Sequence, residues 1–321
     1  MIMDELGFVP SPHAHMIVEE RCGNFAATQF EDISARRAFP CFDEPALKAT
    51  FNVTIAHRPD YVALSNMPIY KTETIIDQTF DHYSKSVLMP TYLLAFAVGD
   101  FQSKETVSKN NITMRYYSRP SFVHKLNYAL SVGGKIMTYF ENLFGVKYSL
   151  PKEDMAAIPM FGSGAMENWG LILYQEKYLL WDPKESTESQ KLSVTSVIAH
   201  ELAHMWFGNI VTLNWWNDIW LNEGFASLFA SRGMGVAIPA LKNEDVAIYK
   251  AMRKSMKYDS LPNSNPVSEN AGSITSTNDM SGVTFYDKIY LKRHAFANVV
   301  TDDLWRALTE LPDLHIVKGK I

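Results

Sequence analysis

Two histidines one helical turn apart constrain this chain more than any other feature of it. His200-Glu201-Leu202-Ala203-His204 lies in a run, Lys191 to Phe207, whose apolar positions Leu192, Val194, Ile198, Leu202 and Met205 recur at helical spacing. Thr187 and Gln190 have the spacing of a capping box ahead of that run, and Gly208 stands where a helix usually stops. The spacing predicts that His200 and His204 project from one helix face and can share a metal ion. A catalytic zinc takes three protein ligands and leaves a fourth position open, so a third donor is needed. Glu223 follows His204 after eighteen residues, on a second predicted helix from about Asp218 to Ser231 that would carry it back past the first. Glu201 is next to a ligand but points elsewhere, where a general base beside activated water belongs. Residues of these types at this spacing point to a hydrolytic site with one zinc ion per chain.

A five-residue His-Glu-x-x-His can arise in a helix by chance, but here it has caps, a third donor and the tryptophans Trp206, Trp215, Trp216 and Trp220 around it. The set His200, His204 and Glu223 resembles the zinc signature of the gluzincins. The longer stretches His200 to Asn209 and Trp215 to Ala226 are similar to the aminopeptidase N family, and Gly164-Ala165-Met166-Glu167-Asn168 resembles that family's exopeptidase signature. The resemblance implies a zinc metalloaminopeptidase whose substrates are peptides with a free N-terminus. Glu167 would be the anchor for the substrate's α-ammonium, with Gly164, Ala165, Met166 and Asn168 around it supplying substrate contacts. Gln29 matches the family glutamine that reaches the substrate's N-terminal residue from the β-domain. Read alone, Glu167 is a surface acid. A carboxylate fixed near the zinc would both recognise a free amine and exclude a continuing chain, because it would be left unpaired against amide surface.

Composition is that of an ordinary globular protein: 321 residues, 47% hydrophobic and 20% charged, with a net charge of −5. No basic cluster suggests nucleic acid. Cys22 and Cys41 read as isolated thiols rather than a bridge. The longest strongly apolar run, Tyr92 to Val98, is strand-sized, so no membrane segment is expected; the first fifteen residues do not resemble a signal peptide, and a soluble, cytoplasmic protein is expected. Asn52 and Asn111 begin glycosylation triplets that matter only on secretion.

The fold class expected is multidomain α+β. Residues 1–118 read as a partial, saddle-like N-terminal β-domain, with strands at Phe51–Ala56, Tyr61–Leu64, Tyr92–Val98 and Ile112–Tyr117. Arg36, Arg37, Asp43 and Glu44 read as a structural knot of ion pairs. Residues 119–321 read as a thermolysin-like zinc peptidase domain, opening with a helix over Val123 to Phe144 that stops at Gly145. Met155 to Tyr174 alternates like a strand, and its glycines Gly162 and Gly164 suggest close approach of another backbone, such as a peptide added at a sheet edge. After a helix end near Gly233, the polar stretch Asp259 to Asp279 reads as a loop over the cleft.

The resemblance also implies a catalytic tyrosine before a Lys-Gly-Ala, and this sequence contains no Lys-Gly-Ala. Tyr286 is the nearest substitute as oxyanion donor; otherwise it is an ordinary apolar-face residue. An internal deletion and truncation at both ends relative to the family are expected. The competing reading is a peptide-binding protein that keeps zinc but lacks the tyrosine. A thermolysin-like endopeptidase is a further alternative, which Glu167 argues against.

Overall fold

Short β-branched and aromatic runs punctuated by Pro, Asn and Asp make the first part of the chain a stack of strands. The structure is a computed structural model and describes residues 16–19, 25–240, 260 and 298–309. Strands β1 (Met16–Glu19), β2 (Phe25–Thr28), β3 (Thr54–His57), β4 (Val62–Ser65), β5 (Ile69–Ile75), β6 (Gln78–Tyr83) and β7 (Phe96–Gly99) form two antiparallel sheets, ordered β1-β2-β7-β4 and β3-β6-β5. β5 reads Ile-Tyr-Lys-Thr-Glu-Thr-Ile and is almost wholly exposed, which is why no apolar alternation marks it in the sequence. The run Tyr92–Val98 is only half strand, since Thr91–Leu93 is a 3-10 turn and the strand begins at Phe96.

The second layer is a five-stranded sheet. It contains β8 (Gln102–Val107), β9 (Thr113–Ser118), β10 (Lys152–Ile158), β11 (Ala165–Met166) and β12 (Leu171–Gln175), with α1 (Asn127–Phe144) between β9 and β10. Its order is β11-β12-β10-β9-β8, so strands from both sides of residue 118 pair in one sheet. β10 is parallel to both neighbours and buried along its whole length, as a central parallel strand must be. β11 is the edge.

Three helices pack together against this sheet: α1, α2 (Glu188–His204) and, after β13 (Thr212–Leu213), α3 (Trp220–Ala237). α1 is preceded by a 3-10 segment over Pro120–Leu126, so the regular helix starts later than its apolar period suggests, and it ends at Gly145 with φ +64°. The capping box is present: Gln190 N donates to the Thr187 hydroxyl, and Thr187 N donates to the Gln190 side chain. α3 runs past Gly233, because that glycine is not a cap. A Cβ there would lie 2.8 Å from Ala199 Cβ on α2 and 3.1 Å from Phe140 on α1, so the missing side chain lets three helices meet. Phe140, Phe144, Trp206, Phe207 and Phe229 fill the space between them with edge-on and stacked rings. β14 (Asn298–Val299) pairs in parallel with β13, and α4 (Thr301–Thr309) follows. No helix among the described residues is long and apolar enough to cross a membrane.

Asp43 is the buried centre of the acid-arginine loop. It accepts from Arg36 N and Arg36 Nε and from the Thr91 hydroxyl at 2.6 Å. Arg37 and Glu44 are exposed.

Candidate active site

α2 and α3 cross so that His200, His204 and Glu223 converge. His200 Nε2 lies 2.9 Å from His204 Nε2 and 3.1 Å from Glu223 Oε2, and His204 Nε2 lies 3.6 Å from Glu223 Oε1. Donors about 2.0–2.1 Å from one zinc in tetrahedral geometry stand roughly 3.4 Å apart. The three separations bracket that value, and the donor set of two imidazoles and a carboxylate suits zinc. His204 Nδ1 donates to Phe207 O at 3.0 Å, which fixes the tautomer that leaves Nε2 as a lone-pair donor. The residues fit the metal.

The surrounding charges are strongly coupled. Burial works against charging His204, but the facing carboxylates of Glu167 and Glu223 outweigh it and raise its pKa. Burial alone would raise Glu223, yet His204 and the hydrogen-bonded His200 hold it down at about 2. Glu201 is 5% exposed, and burial, reinforced by Glu167, Glu223 and Glu31, lifts its pKa well above the usual carboxylate range. Its Oε2 has no hydrogen-bond partner among the described residues.

Glu167, 3% exposed, follows the edge strand β11, with Oε1 3.8 Å from His204 Nδ1 and without a hydrogen-bond partner among the described residues. Burial raises its pKa and Glu223 adds to the rise, against the pull of His204. Asn209 Nδ2 donates to Glu167 O at 3.0 Å and so ties the Glu167 backbone to the end of α2. Gln29 reaches this strand from just beyond β2, its Nε2 3.2 Å from Met166 Sδ, and its Oε1 is buried without a partner among the described residues. Ala165 and Met166 form β11; Gly164 O accepts from Gln175 N; Asn168 is buried with both amide atoms unpartnered among the described residues. Thus every sequence-predicted residue in the described part gathers at one place. Tyr286 and the stretch Asp259–Asp279, Ser260 excepted, lie outside the described residues.

Three contributors escape the sequence reading. Glu31 belongs to the same field of acids: desolvation, then Glu167, Glu223 and Asp32, raise its pKa well above normal. Its one signal in the sequence is that it stands two residues from Gln29. Asn209 and Tyr92 carry no such mark, and their partners are distant in sequence.

The sequence matches the Peptidase family M1 domain over residues 128–289 and the Peptidase M1 N-terminal domain over residues 7–93. The chain belongs to peptidase family M1. Family M1 is zinc-dependent in general, in keeping with the donor set here. Among curated relatives, endoplasmic reticulum aminopeptidase 1 of Homo sapiens is 40% identical over 317 residues, covering 92% of this chain and 34% of the relative. Glutamyl aminopeptidase of Bitis rhinoceros is 44% identical over 309 residues, 89% of this chain and 32% of the relative. Glutamyl aminopeptidase of Homo sapiens is 41% identical over 319 residues, 91% and 33%. The chain therefore spans about a third of the length of the curated M1 relatives it matches.

Proposed function

We propose that this chain is a zinc-dependent aminopeptidase that removes the N-terminal residue from peptides. The observation that carries the reading is the pairing of a three-donor metal site with a buried carboxylate, Glu167, whose Oε1 has no hydrogen-bond partner among the described residues and lies 3.8 Å from one of the donors. An endopeptidase cleft would gain nothing from that carboxylate, whereas a substrate ammonium can donate to its unpartnered Oε1.

His200, His204 and Glu223 would hold the zinc, which when bound polarises the scissile carbonyl and lowers the pKa of water. The substrate's α-ammonium is received by Glu167, Gln29 Oε1 and Glu31. The substrate's backbone lies along β11, which among the described residues is an edge of its sheet with its outer side unpaired. Glu201 takes the proton of the attacking water on its unpartnered Oε2 and passes it to the leaving amine. Burial and the neighbouring carboxylates raise its pKa, which favours holding that proton once it is taken. Asn168 and the backbone of Gly164 to Met166 hold the substrate strand, and Tyr286 is assigned the oxyanion hydroxyl.

The test is turnover of a panel of aminoacyl fluorophores, with bound zinc measured by mass spectrometry. Turnover that needs zinc, fails on N-acetylated substrate and falls by about a hundred- to ten-thousandfold in Glu201→Gln supports the reading. Stoichiometric zinc with no turnover above that variant sinks it and leaves the peptide-binding alternative.

A further inference from the structure

The metal helix and the amine anchor are joined at one short turn, Phe207 to Asn209. Phe207 O accepts from His204 Nδ1; Asn209 N donates to His204 O at 3.1 Å; Asn209 Nδ2 donates to Glu167 O. Gly208, between them, has φ +131°, and a Cβ on it would lie 3.2 Å from Asn222 Nδ2 and 3.3 Å from His204 Nδ1. The turn is thus pressed against a metal-donor histidine on one side and, on the other, against the residue preceding Glu223. A shift of this turn moves the metal donors and the anchor together.

The side chain of Tyr92, from the N-terminal region, bonds to that turn. Tyr92, 1% exposed, donates its hydroxyl to Gly208 O at 3.2 Å and accepts from Asn222 Nδ2 at 3.4 Å, with its ring edge-on to Trp216 at 5.1 Å. Its own backbone is clamped. The neighbouring Thr91 is bonded to Asp43, itself held by Arg36, and Leu93 O accepts from Asn66 Nδ2 at 2.7 Å. Burial and the nearby Glu167 and Glu31 push the phenol pKa well above normal, so the group is a standing donor across the working pH range.

We propose that the Tyr92 hydroxyl is a positioning residue that pins the Phe207–Asn209 turn and thereby sets His204, Asn222 beside Glu223, and Glu167 in register. On this view the Arg36–Asp43 knot has a purpose at a distance: it anchors the 3-10 turn that presents the phenol. The inference rests on the zinc-site reading above, but it is decided by metal affinity rather than by peptide turnover.

The experiment measures zinc dissociation constants by chelator competition for wild type, Tyr92→Phe, and Tyr83→Phe. Tyr83 is an equally buried tyrosine remote from the site, whose hydroxyl has no hydrogen-bond partner among the described residues. It controls for removing a phenol oxygen from the interior. The ring of Tyr92→Phe keeps its contact with Trp216, so only the two hydrogen bonds are lost. The expected result is zinc affinity weakened about tenfold in Tyr92→Phe, the lower end for outer-shell partners of metal ligands, and unchanged in Tyr83→Phe. Combining Tyr92→Phe with Asn222→Ala is expected to weaken zinc binding by less than the product of the single effects, since both act through one contact. Zinc binding by Tyr92→Phe within twofold of wild type overturns the pin and leaves the metal site standing. Absence of zinc binding by the wild type overturns both.

Discussion

Glu167 and His204 face each other at 3.8 Å, with the carboxylate oxygen concerned accepting no hydrogen bond among the described residues. The nitrogen that faces Glu167 is Nδ1, which is spent on Phe207 O, while Nε2 faces His200 and Glu223. Glu167 and the candidate metal donors are thus arranged around opposite edges of one imidazole. On the proposed reading, a substrate amine at Glu167 would lie about one ring-width from the metal.

That spacing predicts the behaviour of Glu167→Gln. Loss of the charge removes a hydrogen bond to a cation, about 1.5–3 kcal/mol, so kcat/KM on free peptides is expected to fall about ten- to a hundredfold. Activity on N-acetylated peptides, already low, is expected to change much less. The ratio of the two, measured on matched peptides, reads the anchor directly; an unchanged ratio rejects it.

Zinc binding is expected to stabilise the fold. At free zinc a thousandfold above the dissociation constant the gain is about 4 kcal/mol, visible as a rise in melting temperature that a chelator reverses. Glu223→Ala removes one of three donors and is expected to abolish most of that rise. A zinc-induced rise in this variant equal to that of wild type would place the metal elsewhere.

Gly170→Ala is expected to cost about 3 kcal/mol or more. The residue has φ +86°, and an added Cβ would sit 2.2 Å from Asn66 O, a backbone atom that cannot swing away. Urea unfolding of the variant checks this. A loss below about 1 kcal/mol, the size of an ordinary glycine effect, would mean that the turn behind Asn168 and Trp169 yields.

Glu153 sets a pH dependence remote from the metal. Burial, with Asp154 adding and the Tyr148 hydrogen bond and Lys152 opposing, raises its pKa from 4.5 to about 8. Between those values the folded chain holds a proton that the unfolded chain has released, so stability falls as pH rises from about 4.5 to 8 and then levels. Glu153→Gln removes this contribution. The difference in stability between variant and wild type, followed by melting across pH 5 to 9, is expected to grow in the variant's favour by on the order of 4 kcal/mol. A difference that does not change with pH refutes the assignment.

The helix bearing His200 and His204 is legible from its period and its cap, because both signals are local: Thr187 and Gln190 bond to each other, and the histidines are one turn apart. The strands are less legible. β4 and β9 announce themselves by β-branched and aromatic residues, whereas β5 and β8 are largely exposed on both faces, so they carry no alternation to find. Gly233 misleads for the opposite reason, since its meaning lies in Ala199 and Phe140 rather than in its neighbours along the chain.

By itself the sequence determined the chemistry available at the site, namely which side chains can hold zinc and which can take a proton. Each of those depends on residue type and on spacings of a few residues, which the helix and the strand convert into a shared face. Only the tertiary structure decided how these groups are poised. The buried field that joins Glu31, Glu167, Glu201 and Glu223, and the reach of Tyr92 to Gly208 and Asn222 across more than a hundred positions, arise from burial and long-range contact. Desolvation acts on a carboxylate only once distant segments have closed around it.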